Sequence, residues 1–164
     1  MGITFNAEEI LGIAEQIERN GASFYRKAAR NTENEEHRKL LTDLADMEVG
    51  HEKTFSEMKA SLTPGERESK DYDPENQAAA YLRMIADGNV FDYRKDPSQM
   101  LTGDETISDV LSTAIGLEKD SVVFYMGIKE MVPERLGKQR IEEIIKEEMS
   151  HITLLSRQLA ALKT

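Results

Sequence analysis

The sequence predicts an all-α protein, a four-helix bundle made from two repeated helix pairs. Three observations predict it. First, two short words recur at an offset of 100 residues: Glu18-x-x-x-x-x-Phe24-Tyr25 returns as Glu118-x-x-x-x-x-Phe124-Tyr125, and Glu48-x-x-His51 returns as Glu148-x-x-His151. Second, apolar residues fall at alternating spacings of three and four along four stretches, which is the signature of one buried helical face. Third, Gly and Pro are sparse and gather between those stretches, while cysteine is absent.

The elements follow in order. A first helix over about 6–30 starts at Asn6, a good N-cap, with Glu9 completing a capping box and Phe5 and Ile10 flanking it as a hydrophobic staple. Its seam is Leu11, Ala14, Glu18, Gly21, Tyr25 and Ala28. A second helix over about 32–62 begins at Thr32, with Glu35 three residues on, and Pro64-Gly65 ends it. Leu41, Leu44, Glu48, His51, Phe55, Met58 and Leu62 form its seam, apolar except at Glu48 and His51. Residues 63–105 form a connector too long for a tight turn, which suits a crossover running the length of a bundle. It carries one short helix, opened by Asp73-Pro74 and stopped near Gly88, followed by loop. A third helix over about 106–131 starts at Thr106 with Asp109 in the place of Glu9, and Pro133 breaks it. Its seam is Val110, Leu111, Ala114, Glu118, Ser121, Tyr125 and Ile128. A fourth helix over about 134–163 has the seam Ile141, Ile144, Glu148, His151, Leu155, Leu159 and Leu162. The whole chain of 164 residues reads as one domain.

A carboxylate on a core-facing seam is costly unless it is paired or coordinated. Here four helices each carry one: Glu18, Glu48, Glu118 and Glu148. Two divalent cations would neutralise them. The i, i+3 spacing places Glu48 beside His51 and Glu148 beside His151, one turn apart on one face. Six donors of this kind are the set used by di-iron and di-manganese bundles. Oxygen and imidazole ligands suit iron or manganese better than a soft metal. The alternative is a metal-free helical repeat. Tyr25 and Tyr125 lie on the same face as their Glu, two turns away, and two readings stand: donors to a ligating carboxylate, or core tyrosines with an ordinary backbone partner. The methionines read as core filler, and His37 and the Glu142, Glu143 and Glu147 charges as solvated surface.

The formal net charge of −10 argues against nucleic acid and against an anionic membrane as partners. The longest apolar runs are too short to span a bilayer, and the first residues show no signal-peptide pattern, so a cytoplasmic protein is expected.

At these residues the chain resembles the ferritin-like superfamily, and its rubrerythrin branch in particular. Ile17-Glu18-Arg19-Asn20-Gly21-Ala22-Ser23-Phe24-Tyr25 and its echo at 117–125 resemble the first and third bundle helices of that branch, and the two Glu-x-x-His words its second and fourth. The resemblance implies a ferritin-like bundle with a di-iron centre that reacts with hydrogen peroxide or dioxygen. The ligands would be Glu18, Glu48, His51, Glu118, Glu148 and His151, holding two iron ions, with manganese or zinc as alternatives. Two departures stand out. Rubrerythrins add a cysteine-ligated rubredoxin domain, whereas this chain has no cysteine, so electrons would come from a separate donor protein. They also carry a further Glu one turn after the third-helix ligand, where this chain has Ser121. The expected function is thus a rubrerythrin-like oxidoreductase reducing peroxide or dioxygen, acting as a homodimer. Ferroxidase or iron binding without turnover is the alternative, and a non-enzymatic helical module is the third reading.

Overall fold

The computed structural model describes residues 6–68, 75, 77–86 and 92–163. These form six α-helices: α1 (Ala7–Asn31), α2 (Glu35–Ala60), α3 (Pro64–Glu68), α4 (Gln77–Ala86), α5 (Ile107–Ile128) and α6 (Lys138–Ala161), with short 3-10 turns at Pro97–Met100 and Glu134–Leu136. α1 packs along α2, α5 packs along α6, and α1 meets α5.

The buried apolar residues split into two clusters. One gathers Ile10, Leu11 and Ala14 of α1 with Phe55 and Met58 of α2, Phe124 and Ile128 of α5, and Ile141 and Ile144 of α6. The other gathers Phe24 and Ala28 with Leu41, Leu44, Leu111, Ala114 and Leu155. The clusters give the direction of each helix. α1 and α6 run from the first to the second, while α2 and α5 run from the second to the first. α2 therefore ends at the opposite end of the bundle from where α5 starts, so the connector must travel its length, as the sequence predicts. Between the two clusters, on α1, α2, α5 and α6, fall the Glu and His positions of the repeat. Each large apolar side chain in these clusters contributes roughly 1.5–3 kcal/mol by leaving water, and together they hold a polar layer in the middle of the bundle.

The local signals worked where they were strong. Asn6 and Thr106 cap α1 and α5, each with a full capping box to Glu9 and Asp109. The predicted staple and the Asp73-Pro74 and Gly88 signals lie outside the described residues. The cap of α2 is Asn34 rather than Thr32: the Asn34 side chain accepts the N–H of His37. Thr32 instead closes α1, its hydroxyl donating to the Ala28 carbonyl at 2.7 Å. Two good capping residues stood two positions apart, and the nearer to the helical run prevailed. α2 ends at Ala60, and Pro64 opens the short α3 instead of merely stopping α2, consistent with the preference of Pro for a first helical position. The stretch read as loop contains the 3-10 turn Pro97–Met100, capped by Asp96. The last helix begins at Lys138, after Pro133 and the separate turn Glu134–Leu136. Leu162 lies beyond its end and is exposed, not part of the seam.

α4 docks on α5 at Gly127, where a Cβ would come within 2.7–2.8 Å of the Tyr81 and Leu82 side chains. The absent side chain lets the two helices approach. The Tyr81 hydroxyl then donates to the Val123 carbonyl at 2.8 Å. The methionines contradict their reading as core filler. Met58 and Met131 are buried, but Met47, Met84, Met100, Met126 and Met149 are exposed. No helix among the described residues is long and apolar enough to cross a membrane.

Candidate metal centre

The middle layer brings all six predicted donors together. Glu18, Glu48, His51, Glu118, Glu148 and His151 are each between 0% and 5% exposed. They form two overlapping groups: Glu18, Glu48, His51 and Glu148, and Glu48, Glu118, Glu148 and His151. Within each group the donor atoms all lie within 4.8 Å of one another. Glu48 and Glu148 belong to both groups. Glu18 and Glu118 each belong to one, as does each histidine.

Both imidazoles turn Nδ1 into the layer. His51 Nδ1 lies 3.0 Å from Glu148 Oε1 and 3.5 Å from Glu18 Oε2. His151 Nδ1 lies 2.9 Å from Glu148 Oε2, 3.6 Å from Glu118 Oε1 and 3.7 Å from Glu48 Oε1. The two rings are nearly parallel, with centroids 6.0 Å apart. Helical periodicity explains the placement. A Glu and a His three residues apart share a face, and the apolar residues before and after them on α2 and α6 hold that face inward.

Gly21 makes the packing possible. A Cβ at this position would lie 2.6 Å from Glu48 Oε2. Any side chain on α1 here would push the Glu48 carboxylate out of its seat. At the matching position of the repeat, Ser121 is buried and its hydroxyl donates to the Leu117 carbonyl of its own helix at 3.1 Å.

The tyrosines take the first of their two readings, with a crossing that the sequence does not show. Tyr25 on α1 donates its hydroxyl hydrogen bond to Glu118 on α5, and Tyr125 on α5 donates to Glu18 on α1. Each copy of the repeat thus fixes the carboxylate of the other. One contributor was missed. Glu147 is exposed, as a solvated charge should be, yet it also reaches from α6 to His51 Nε2 at 2.6 Å. The distal nitrogen of His151 has no such partner. His37, by contrast, stays away from the layer, in a shallow surface depression beside Asn34.

Without metal, this layer is electrostatically stressed. Burial pushes the Glu48 carboxyl well above its usual range, reinforced by the charges of Glu18 and Glu148. Burial also raises Glu18, and raises Glu118 to about 8. Glu148 goes the other way: burial opposes its charge, yet hydrogen bonds from His151 and His51 hold it down at about 2. Burial likewise opposes the charge on the imidazoles, but their carboxylate partners win, raising His51 to about 11 through Glu148 and Glu18, and His151 to about 9 through Glu118 and Glu148. Protons are therefore doing what cations would do better. Glu18 Oε2, Glu48 Oε1, Glu148 Oε1 and His51 Nδ1 are buried without an aligned hydrogen-bond partner. Four carboxylates, two inward imidazole nitrogens and unspent acceptor atoms fit a pair of divalent cations, and their oxygen-rich chemistry fits iron or manganese.

The structure of this chain is similar to a solved structure from Thermotoga maritima, described as a candidate ferritin-like diiron-carboxylate protein. The two share 25% sequence identity and align with a TM-score of 0.71 over 98% of each chain. No known family profile and no curated protein matches this chain. The bundle is a ferritin-like fold, and the buried Glu/His layer is its candidate metal site.

Proposed function

We propose that this protein is a non-haem di-iron oxidoreductase of the rubrerythrin-like kind, which reduces hydrogen peroxide or dioxygen with electrons from a separate donor protein. The observation that carries the reading is the pair of overlapping donor groups, with Glu48 and Glu148 common to both. Glu48 and Glu148 could each serve either group, so the layer offers donors for a pair of ions. When bound, an iron pair supplies two adjacent one-electron centres, which matches the two electrons that hydrogen peroxide takes up.

The chain's own residues have definable tasks. Glu18, Glu48, His51, Glu118, Glu148 and His151 would hold the ions. Tyr25 and Tyr125 orient the two unshared carboxylates, and Glu147 orients the His51 ring so that Nδ1 faces inward. The apolar clusters above and below close the two ends of the layer along the bundle axis. Tyr25 and Glu118 share a proton-bearing hydrogen bond on the wall of a cleft that reaches the layer. Burial and the neighbouring carboxylates keep the proton on the Tyr25 hydroxyl, so it remains a donor to Glu118. A separate donor is part of the proposal, since these 164 residues hold no cysteine to ligate an iron–sulfur centre.

Ser121 favours a second reading, ferroxidase or iron binding without turnover. Its hydroxyl is turned to Leu117 and supplies no fifth carboxylate. Anaerobic loading with ferrous ion, followed by elemental analysis and stopped-flow oxidation, tests both. Two irons per chain, oxidised by peroxide far faster than free ferrous ion and re-reduced through repeated cycles, is the expected result. Oxidation in a single cycle would favour the second reading, and absence of bound iron would overturn the metal centre itself. A homodimer is part of the proposal, and sedimentation equilibrium reads it directly.

A further inference from the structure

The connector does more than join two helix pairs. Its segment 92–100 lies against α1, anchored along one face of that helix: Asn20 Nδ2 donates to the Tyr93 carbonyl at 2.7 Å, Ser23 faces Asp96 at 3.5 Å, and Lys27 Nζ donates to the Ser98 carbonyl at 2.9 Å. Held there, it walls off a cleft of about 620 Å³. α1 and α5 form the sides, with Ile17 and Leu117 facing the space. The inner end is made by Tyr25, Glu48 and Glu118, so the cleft ends on the candidate metal layer. Gly21 and Ser121, the two small residues at matching positions of the repeat, both line it. A larger residue at either position would narrow the way in.

The size is informative. A water molecule's share of the liquid is about 30 Å³, and dioxygen or peroxide needs volume of the same order. The cleft is more than tenfold larger and falls within the range of sites for organic molecules, roughly 300–1,000 Å³. Its charge is informative too. Besides the layer's own carboxylates, Asp92, Asp96 and Asp120 line it, against one cation, Lys95. Asp92 is engaged by Arg94 and Lys95, and Asp96 by the Ser98 backbone. Asp120 makes no hydrogen bond or ion pair among the described residues, with only the charge of its chain neighbour Lys119 acting on it, although it is half-buried on the α5 wall. An organic anion would meet repulsion in this cleft, while a protonated amine would find an unengaged carboxylate beside apolar surface.

We propose that this cleft is the binding site of a small, largely apolar amine, its nitrogen paired with Asp120 and its apolar part between Ile17 and Leu117, against the layer at Glu118. The inference builds on the metal-centre reading for the chemistry such a ligand would meet, but its occupancy is measurable separately. Benzylamine, benzyl alcohol and benzoate are suitable probes. Their binding is followed by ligand-observed NMR and calorimetry, on the protein as purified and after ferrous loading, with metal content determined on the same samples. Benzylamine is expected to bind about tenfold more tightly than benzyl alcohol, a difference of one salt-bridged contact in a partly dry site, and benzoate not at all. Asp120→Asn should bring benzylamine down to the level of benzyl alcohol. Ile17→Trp, and Met100→Trp on the connector side, should abolish binding of both by filling the space while leaving metal content unchanged. Equal binding of benzoate, no binding of benzylamine, or undiminished binding to both tryptophan variants would overturn the proposal. Loss of metal binding in the unaltered protein would instead overturn the metal centre.

Discussion

The two halves of the bundle share their donors and differ in what supports them. α1 and α5 each bring a Glu and, two turns on, a Tyr; α2 and α6 each bring a Glu and a His. The tyrosine crossing is the same in both directions. The departures lie one step away. Gly21 leaves room for the Glu48 carboxylate, whereas Ser121 is spent on its own helix. Glu147 grips the distal nitrogen of His51, but the matching residue on α2 is Met47, which is exposed, and the distal nitrogen of His151 is unpartnered. Repetition therefore fixes which atoms face the layer, and its breakdown makes the two donor groups unequal. The position beside His51 has the better-held imidazole. The position beside His151 lies with Glu118, on the side of the cleft.

The most severe way to break this comparison is to remove a shared carboxylate. Glu48→Ala or Glu148→Ala should abolish binding of both ions, while Glu18→Ala or Glu118→Ala should leave one ion per chain. Elemental analysis after ferrous or cobaltous loading distinguishes these outcomes, and equal losses in all four variants would contradict the sharing. Circular dichroism on each apo variant confirms folding, which Glu148→Ala strains most because it leaves His51 and His151 without a carboxylate that both share.

A second contrast sets Gly21→Ala against Ser121→Ala. The new methyl at 21 displaces the far end of a flexible side chain, so stability should change little, but that far end is a shared donor. Metal affinity should fall by about 10–100-fold, the range seen when a ligand's seat is disturbed. Ser121→Ala removes only a hydroxyl bonded to its own helix and should leave affinity within a fewfold. Competition titration against a chromogenic chelator reads both.

Glu147→Ala should weaken one of two binding steps, by roughly tenfold, and leave the other alone, because only His51 loses its orienting carboxylate. Met47→Ala, the matching change, should leave both steps unaltered. Calorimetry that resolves two steps would show this. A uniform weakening of both steps would mean that Glu147 acts through charge at large and not through His51.

The smallest effect concerns pH without metal. Glu118, raised to about 8, and His151 and His51, raised to about 9 and 11, all keep protons in the folded apo protein that the unfolded chain gives up. Stability from these groups is fully present at low pH and is lost as pH rises through their folded values. Glu148, held at about 2, contributes the opposite slope only below the ordinary carboxylate range. The melting temperature of the apo protein should therefore fall between about pH 5.5 and 8.5, by several degrees. Bound metal replaces the protons and should flatten or reverse that slope. An apo melting temperature that rises across this window would contradict the proton-filled layer.

The sequence by itself determined the four long helices, the position of the layer and the six Glu and His residues that meet in it, because these depend on local rules. Period, cap and i, i+3 spacing are written within a single helix, and the repeat doubles each signal. It also determined that a long crossover joins the pairs, since nothing shorter spans 63–105. Where local signals competed, as between Thr32 and Asn34, the pattern alone did not choose. Tertiary structure decided what depends on how helices are rotated and spaced against one another. The tyrosines bond across 93 and 107 residues of chain, to the opposite repeat and not to their own Glu. Glu147 belongs to a solvated face by its place on α6, yet it meets His51 because α2 lies within its reach. The cleft exists only because segment 92–100 is pinned to α1 by Asn20 and Lys27, contacts between residues more than 70 positions apart. Periodicity tells which face of a helix turns inward; the partner that face meets is settled by packing.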